Sequence, residues 1–313
     1  MAKASRPYQI FVKPMGSICN LGCRYCYYLK KQNLYPDEKS LRMPEHVLEE
    51  YIVQHIETCP DPVIPFSWHG GEPTLLGLDY YRKIVELQRK HQPSHRRIIN
   101  GIQTNGTLLD EDWCRFLAAE RFGVGFSLDG PQELHDSHRV TKGGNPTHDL
   151  AMRGYELLRK HGILCDILCV VHDGNVHCPL EVYRFLKQIK ASYIGFLPLV
   201  EPRADSGGVS SSTVPSEAFG AFLCAIFDEW TSQDIGKVKI QIFEETAGTA
   251  LGQEHALCIF KKTCGDVPVL EHNGDFYSCD HFVDREHLLG NILETRLVDL
   301  IESPAQRAFG QAK

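Results

Sequence analysis

Three cysteines at positions 19, 23 and 26 constrain this chain more than any other feature of its sequence. They follow a C-x3-C-x2-C spacing, shortly after an apolar run at 10–12 that predicts a strand. Three thiolates from one loop can hold three irons of a [4Fe–4S] cube and leave the fourth iron open, whereas ordinary ferredoxins use four cysteines. The alternatives are a zinc site, which needs a fourth Cys or His at a set spacing, and buried thiols without a metal. The spacing favours the cluster.

Composition and charge narrow the function classes. The 313 residues are 42 % hydrophobic and 23 % charged, enough for one large α/β domain or a domain plus an appendage. A net charge of -7 argues against a nucleic-acid partner. No run approaches the ~20 apolar residues of a membrane helix, so no membrane partner is expected.

The cysteine content indicates the compartment. Twelve cysteines without an apolar signal segment favour metal ligands in a reducing cytoplasm over a disulfide framework. Six of them fall on helix or strand patterns and are interpreted as small buried hydrophobic residues. These six are Cys59, Cys114, Cys165, Cys169, Cys178 and Cys224.

Strands and helices alternate through the first two thirds of the chain. Apolar runs predict strands at 9–14, 64–69, 97–104, 124–128, 164–172 and 193–200. Helical periodicity predicts helices at 44–58, 77–91, 110–122, 147–161, 179–190 and 216–234. This alternation implies parallel βαβ units with the chemistry at the carboxyl ends of the strands, in a closed or an open sheet. The Ser/Gly-rich segment 205–213 predicts a flexible loop or boundary.

The character of the sequence changes after residue 257. Cys258 and Cys264 precede a predicted hairpin, with strands at 267–270 and 275–279 around an Asn-Gly turn, and Cys279 ends it. A last helix is predicted at 297–301, resuming after Pro304. We therefore divide the chain into a core, 1–235, and a C-terminal region, 236–313.

Polar motifs follow the predicted strands. A Gly-Gly-Glu-Pro segment at 70–73 ends the second strand, where two glycines allow close approach to a ligand, although a plain turn is the alternative. Asn105 lies in an Asn-Gly turn after the third strand and is either a turn former or a cofactor contact. Ser127 ends the fourth strand. The guanidinium of Arg139 has paired N–H donors whose geometry suits a carboxylate.

These motifs resemble the radical S-adenosylmethionine (SAM) superfamily and, within it, the anaerobic sulfatase-maturating enzymes. The shared motifs are Cys19-Asn20-Leu21, Tyr25-Cys26-Tyr27-Tyr28-Leu29, Gly70-Gly71-Glu72-Pro73-Thr74-Leu75, Gln103-Thr104-Asn105-Gly106, Ser127-Leu128-Asp129-Gly130-Pro131 and Tyr277-Ser278-Cys279-Asp280. The resemblance runs from the first strand almost to the last residue. It implies a partial (β/α)6 TIM-like barrel of the radical SAM type with an incomplete C-terminal auxiliary-cluster (SPASM-like) region.

The resemblance also implies roles for individual residues. Cys19, Cys23 and Cys26 would hold the SAM-binding [4Fe–4S] cluster, and Cys258, Cys264 and Cys279 an auxiliary cluster. SAM contacts would come from Gly70, Gly71 and Glu72 at its amino group, Ser127 and Arg139 at its carboxylate, and Asn105. Tyr28 and His69 would line the substrate pocket, although family members commonly carry Gln at the latter position. Asp280 would be the catalytic base.

The implied activity is oxidation of a Cys or Ser in a partner sulfatase to Cα-formylglycine. Reductive cleavage of SAM yields a 5′-deoxyadenosyl radical that takes a hydrogen from the target Cβ, and Asp280 takes the thiol or hydroxyl proton. An electron donor such as a flavodoxin or ferredoxin would reduce the cluster. We expect a raised pKa for Asp280, as suits a base, with a surface Asp in a hairpin as the alternative.

The C-terminal pattern departs from the family. A SPASM region continues with a fourth ligand and a C-x2-C-x5-C-x3-C group beyond the pattern found here, so we expect a truncated chain. Because Asp280 would then lack a complete cluster beside it, SAM cleavage with little formylglycine is expected. One alternative is another radical SAM peptide-modifying maturase, although many of these carry an N-terminal recognition domain that we do not expect before Cys19. The other is a cluster-binding remnant without turnover.

Overall fold

One ten-stranded sheet organises the fold. The computed structural model describes residues 3–36, 38, 40–202 and 208–313. The strands are β1 (Phe11–Lys13), β2 (Val63–Trp68), β3 (Arg97–Thr104), β4 (Gly123–Ser127), β5 (Cys165–Val171), β6 (Tyr193–Pro198), β7 (Lys239–Ile240), β8 (Val269–Glu271), β9 (Asp275–Tyr277) and β10 (Leu288–Asn291).

Helices connect most of these strands. They are α1 (Glu45–Thr58), α2 (Leu78–His91), α3 (Glu111–Ala119), α4 (Gln132–Asp136), α5 (His148–Lys160), α6 (Pro179–Gln188), α7 (Ser216–Gln233), α8 (Gln241–Ala250), α9 (Leu297–Ile301) and α10 (Pro304–Gln311). Short 3-10 turns lie at Leu29–Leu34, Pro73–Leu76, Cys258–Phe260 and Arg285–His287. Within the described ranges, no helix is long and apolar enough to span a membrane.

The strand order is β10-β9-β8-β1-β2-β3-β4-β5-β6-β7. Neighbouring strands from β1 to β7 are parallel, β8 pairs in parallel with β1, and β9 is antiparallel to both β8 and β10. Among the described residues β7 and β10 do not pair with each other, so the sheet is open. The carboxyl ends of the parallel strands share one edge, where such folds carry their chemistry. The predicted α/β class and partial barrel are confirmed.

Apolar side chains from the sheet and from the helices meet in one core. On β5, alternate residues are buried while Asp166 faces out, the period-2 pattern of a strand. On α2, the buried side chains recur at three-to-four spacing and pack Tyr81 against Trp113 with ring centroids 5.1 Å apart. Helix α3 begins where predicted, because the Asp110 carboxylate accepts the Trp113 amide at 2.9 Å.

Most predicted elements are present, with shifts at their ends. β3 and α9 have their predicted bounds. The sequence did not predict α4, β7, α8 and β10, which are short or lie in the stretch after residue 235 that showed no clear pattern. Of the predicted loop at 205–213, residues 205–207 lie outside the described residues.

Two further predictions concern the buried cysteines and the division of the chain at residue 235. Four of the six cysteines interpreted as buried are so, but Cys178 is half-buried and Cys224 is exposed on α7, where the helical period carries its side chain outward. The division at residue 235 stays a prediction. Strands from both ranges belong to the same sheet, with β7 beside β6 and β8 beside β1.

Candidate active site

The cysteine loop, residues 19–26, follows β1, and its three thiols are half-buried. The backbone amides of Gly22 and Arg24 donate to the carbonyl oxygens of Val140 and His138 at 2.9 and 3.0 Å. The loop is therefore fixed along the segment 138–141, which carries Arg139.

The three thiols on this loop can serve one cluster, because a [4Fe–4S] cube takes each thiolate at a separate iron. Within the described residues, another group of potential metal ligands is formed by His138, His172 and Asp173, whose ligand atoms lie within 4.8 Å of one another. Burial raises the pKa of Cys19 to about 12, so binding a metal there would displace a proton.

The glycine segment after β2 packs directly against the chain leading into the cysteine loop. The amides of Gly71 and Glu72 donate to the carbonyl oxygens of Gly16 and Ile18 at 2.8 and 2.9 Å. A Cβ on Gly71 would lie 2.0 Å from the Ile18 oxygen, so a larger residue does not fit. The carbonyl oxygens of Gly70 and Gly71 accept no hydrogen bond from the described residues, which leaves acceptors for a ligand's ammonium group.

Glu72 is buried, and its carboxylate is already engaged within the protein. It accepts the Thr74 amide at 3.1 Å and hydroxyl at 2.5 Å, the Thr104 hydroxyl at 2.7 Å and the Asn105 amide at 2.8 Å. Burial raises the pKa of Glu72, and these donors oppose the shift. The side chain therefore ties the end of β2 to the end of β3.

Asn105 is a turn former, which is one of the two interpretations of its sequence context. Its side-chain oxygen accepts the Thr107 amide at 3.0 Å, which makes it a turn former. Its amide nitrogen lies 3.0 Å from the Asn20 oxygen and 3.8 Å from the Cys19 sulfur. Asn105 thus braces the cysteine loop, and its contact with SAM stays a prediction.

Arg139 is buried and paired with a residue that the sequence did not predict. Its Nε and Nη2 donate to Asp129 at 2.8 and 3.1 Å, and the Tyr25 hydroxyl also donates to Asp129, at 2.5 Å. Burial opposes the charge on Asp129, but Arg139, His135 and the Tyr25 hydroxyl together outweigh that effect, so the pKa of Asp129 is lowered. The guanidinium retains further N–H donors for an anionic ligand.

Ser127 is half-buried at the end of β4. Its hydroxyl accepts from Gln103 Nε2 at 3.0 Å, at the end of β3. A Cβ at Gly125 would lie 2.0 Å from Gln103 Oε1, so this glycine makes room for the glutamine. The pair stands at the carboxyl ends of neighbouring strands, as a SAM contact by Ser127 requires.

Asp280 is held by two side chains. Lys13 Nζ lies 2.6 Å from Asp280 Oδ1, and the Tyr27 hydroxyl donates to Oδ2 at 2.5 Å. Burial alone would raise the pKa of Asp280, but the Lys13 ammonium and the Tyr27 hydroxyl lower it to about 2. The expectation of a raised pKa is therefore wrong, and Asp280 is an ionised carboxylate.

The two predicted substrate-pocket residues lie beside the same lysine. Tyr28 is buried and its hydroxyl donates to Glu271, while Lys13 Nζ stands 4.4 Å from its ring centroid. His69 stacks on Phe11 with centroids 3.9 Å apart, and burial lowers the pKa of His69 to about 3. His69 is thus a neutral ring at the end of β2, and both substrate roles stay predictions.

Cys258, Cys264 and Cys279 are half-buried and share one region. Burial raises the pKa of Cys258, with a further contribution from Cys264. Burial also raises the pKa of Cys279, with smaller contributions from Asp280, Cys258 and Cys264. The Cys264 amide donates to the Gly310 carbonyl at 3.0 Å, and Lys313 Nζ donates to the Cys258 carbonyl at 2.7 Å. The ligand role of the three thiols stays a prediction.

Sequence reasoning gave no role to four residues that shape this site: Lys13, Tyr27, Asp129 and Glu271. A signal for Lys13 was present, because a lysine closes an otherwise apolar strand at the end where chemistry is expected. Asp129 gave a similar signal directly after β4. The partners of these groups are distant in sequence, so the pairings required the fold.

Comparison with known proteins agrees with this geometry. A family model described as the Radical SAM superfamily matches residues 14–186, from the end of β1 into α6. That range contains the cysteine loop, the glycine segment and the Arg139–Asp129 pair. The fold and the site therefore define a radical SAM enzyme, a class that uses a [4Fe–4S] cluster and SAM.

The chain belongs to the anaerobic sulfatase-maturating enzymes of that superfamily. It is 42 % identical to a serine-type enzyme of Bacteroides thetaiotaomicron, over 100 % of this chain and 78 % of the relative. A cysteine-type enzyme of Clostridium perfringens is 32 % identical, over 97 % and 82 %. The solved structure of native anSMEcpe with bound AdoMet and Cp18Cys peptide superposes with a TM-score of 0.90 at 32 % identity, over 98 % and 83 %.

Proposed function

We propose that this chain oxidises a Cys or Ser in a sulfatase polypeptide to Cα-formylglycine. The observation that carries the proposal is the contact between Tyr27 and Asp280. Tyr27 directly follows Cys26, so one residue links the cysteine loop to an ionised carboxylate. Oxidation of the target removes a hydrogen atom, a proton and one further electron, and a Cys target also exchanges its sulfur for oxygen from water. Hydrogen removal and proton removal are assigned to neighbouring groups, and a cluster held by Cys258, Cys264 and Cys279 would supply the acceptor for the electron.

Cofactor binding is assigned to the residues already described. Cys19, Cys23 and Cys26 would hold the cluster. The free carbonyls of the glycine segment would bind the ammonium group of SAM, and Arg139 and Ser127 would bind its carboxylate. When bound, these cofactors supply the one-electron chemistry that takes a hydrogen atom from the target Cβ. Asp129 holds the guanidinium in place, and burial of Arg139 limits competition from water.

Asp280 is assigned to proton removal from the substrate. As a carboxylate it has lone pairs beyond those that face Lys13 and Tyr27, and these can accept the thiol or hydroxyl proton. Its side chain is 14 % exposed, which leaves one side open to a peptide. A general base in contact with the reacting group typically contributes about 10²–10⁴-fold in rate.

Two further assignments concern the surroundings of the enzyme. A small electron carrier such as a flavodoxin or ferredoxin is the proposed reductant. The cytoplasm is the proposed location, supported by twelve cysteines that are all free thiols.

The test is an anaerobic assay of reconstituted protein with SAM, a strong reductant and sulfatase-derived peptides carrying Cys or Ser. We expect formylglycine from the unaltered chain, and a loss of about 10²–10⁴-fold in Asp280→Asn with 5′-deoxyadenosine still formed. Asp299→Asn, on α9 beside Arg296, is the matched control and should behave as the unaltered chain. A different peptide modification would favour another class of radical SAM maturase, and SAM cleavage with no modification would favour the remnant.

A further inference from the structure

Lys13 is a buried cation with no role in the function proposed so far. Its side chain is 3 % exposed at the carboxyl end of β1. A buried ammonium is costly unless it is paired. Here the pairing consists of Asp280 at 2.6 Å and the face of the Tyr28 ring at 4.4 Å, a cation–π geometry.

Tyr27 supplies the second contact to the same carboxylate. Its hydroxyl donates to Asp280 Oδ2, whereas the Lys13 ammonium forms an ion pair with Oδ1. One hydrogen bond and one ion pair on different oxygens restrict rotation of the carboxylate. The Tyr27 side chain is 43 % exposed, so this clamp lies at an open edge of the protein.

We propose that Lys13 and Tyr27 are positioning residues that fix the Asp280 carboxylate for peptide oxidation. The inference rests on the proposed function. In this proposal, Asp280 is held in position by Lys13 at the end of β1 and by Tyr27, the residue after Cys26. It therefore differs from the sequence-based expectation that Asp280 depends on a complete auxiliary cluster for its position.

The substitutions that test this clamp remove single contacts. Tyr27→Phe deletes the hydroxyl and keeps the ring, and Lys13→Met deletes the charge and keeps the chain length beneath Tyr28. Each is made alone and combined with Asp280→Asn in the reconstituted holoenzyme. The readouts are formylglycine formed per 5′-deoxyadenosine, kcat and KM for the peptide, and the midpoint of thermal unfolding.

We expect each single substitution to lower kcat for peptide oxidation by about ten- to a hundredfold with little change in KM. In the Asp280→Asn background neither should lower the rate further, because the group that they position is already lost. Lys13→Met should lower the unfolding midpoint when Asp280 is present and much less when it is Asn.

Matched controls exclude general effects of the same substitutions. Tyr155→Phe removes a hydroxyl that contacts the Ile189 carbonyl, and Lys187→Met removes an ammonium paired with Glu229 and Asp234. Both should leave formylglycine per 5′-deoxyadenosine at the level of the unaltered chain.

Several outcomes would overturn the inference. One is an unchanged kcat in Tyr27→Phe. Another is an equal loss of kcat from Tyr27→Phe or Lys13→Met with and without the Asp280 carboxylate. A third is a rise in KM of these variants with no change in kcat. If the unaltered chain cleaves SAM but leaves the peptide intact, the proposed function fails. The unfolding midpoints then still decide whether Lys13 and Asp280 are coupled. If Lys13→Met does not fold, Tyr27→Phe still tests the inference, because the Tyr27 ring is half-exposed and the substitution should not prevent folding.

Discussion

Arg139 and Asp129 form a buried ion pair in which two guanidinium nitrogens donate to the two carboxylate oxygens at 2.8 and 3.1 Å. The amide of Val170 on β5 donates to the same carboxylate at 2.9 Å. A residue expected to bind SAM is therefore also part of the barrel's internal structure. Any substitution of Arg139 changes both roles.

Arg139→Ala should destabilise the fold, because it leaves Asp129 buried and unpaired at a cost of about 3–5 kcal/mol. Arg139→Lys keeps the charge but loses the fork, so it should weaken SAM binding while iron content holds. Chemical unfolding and SAM titration of the reconstituted protein measure the two effects, with Arg89→Lys, beside Glu120 on the surface, as control. Normal SAM affinity in Arg139→Lys would remove the arginine from the carboxylate site.

The sequence predicted those parts of the molecule that repeat or cluster locally. The periodicity of the sequence and the Asp110 cap predicted strand β3 and the helix α3 that follows it. The cysteine loop was also predictable, because its three thiols lie within eight residues. The pairing of Lys13 with Asp280 joins residues far apart in sequence, so no local pattern could show it. The pKa of Asp280 was predicted in the wrong direction for the same reason, because the charge that lowers it comes from another strand.

Replacing any one of Cys19, Cys23 or Cys26 by Ala should remove most SAM cleavage, because a site with three ligands has none to spare. Iron per chain and 5′-deoxyadenosine formed under anaerobic conditions are the measurements. Cys224→Ala, exposed on α7, is the control and should match the unaltered chain. Normal cleavage by Cys23→Ala would refute the assignment of the cluster to this loop.

Gly71→Ala should displace the chain entering the cysteine loop, since the new Cβ would meet the Ile18 carbonyl at 2.0 Å. We expect a loss of about 1–3 kcal/mol in unfolding free energy together with lower iron retention. Gly220→Ala on α7 meets nothing within 4 Å and should stabilise the helix by about 0.5–1 kcal/mol. Full iron retention in Gly71→Ala would show that the loop tolerates the shift.

Acid should destabilise the fold through His55 on α1. Burial lowers the pKa of His55 to about 4, whereas an unfolded histidine binds its proton near pH ~6.5. Below that pH the unfolded state takes up a proton that the folded state does not, so stability falls by up to about 1.4 kcal/mol per unit down to about pH 4. Urea midpoints at about pH 7 and pH 5 should differ less in His55→Gln than in the unaltered chain. His95→Gln, at an exposed position, should retain the full difference, and an unchanged difference in His55→Gln would contradict the assignment.

The most direct measurement is mass spectrometry of a sulfatase peptide of about 18 residues, long enough to cross a pocket in extended form. The peptide is incubated anaerobically with the reconstituted chain, SAM and reductant. Because Lys13 and Tyr27 hold Asp280, we expect formylglycine to accumulate together with 5′-deoxyadenosine, contrary to the sequence-based expectation of little product. Formation of 5′-deoxyadenosine while both the Cys and the Ser peptide stay unmodified would contradict the assignment of this chain as a sulfatase-maturating oxidase.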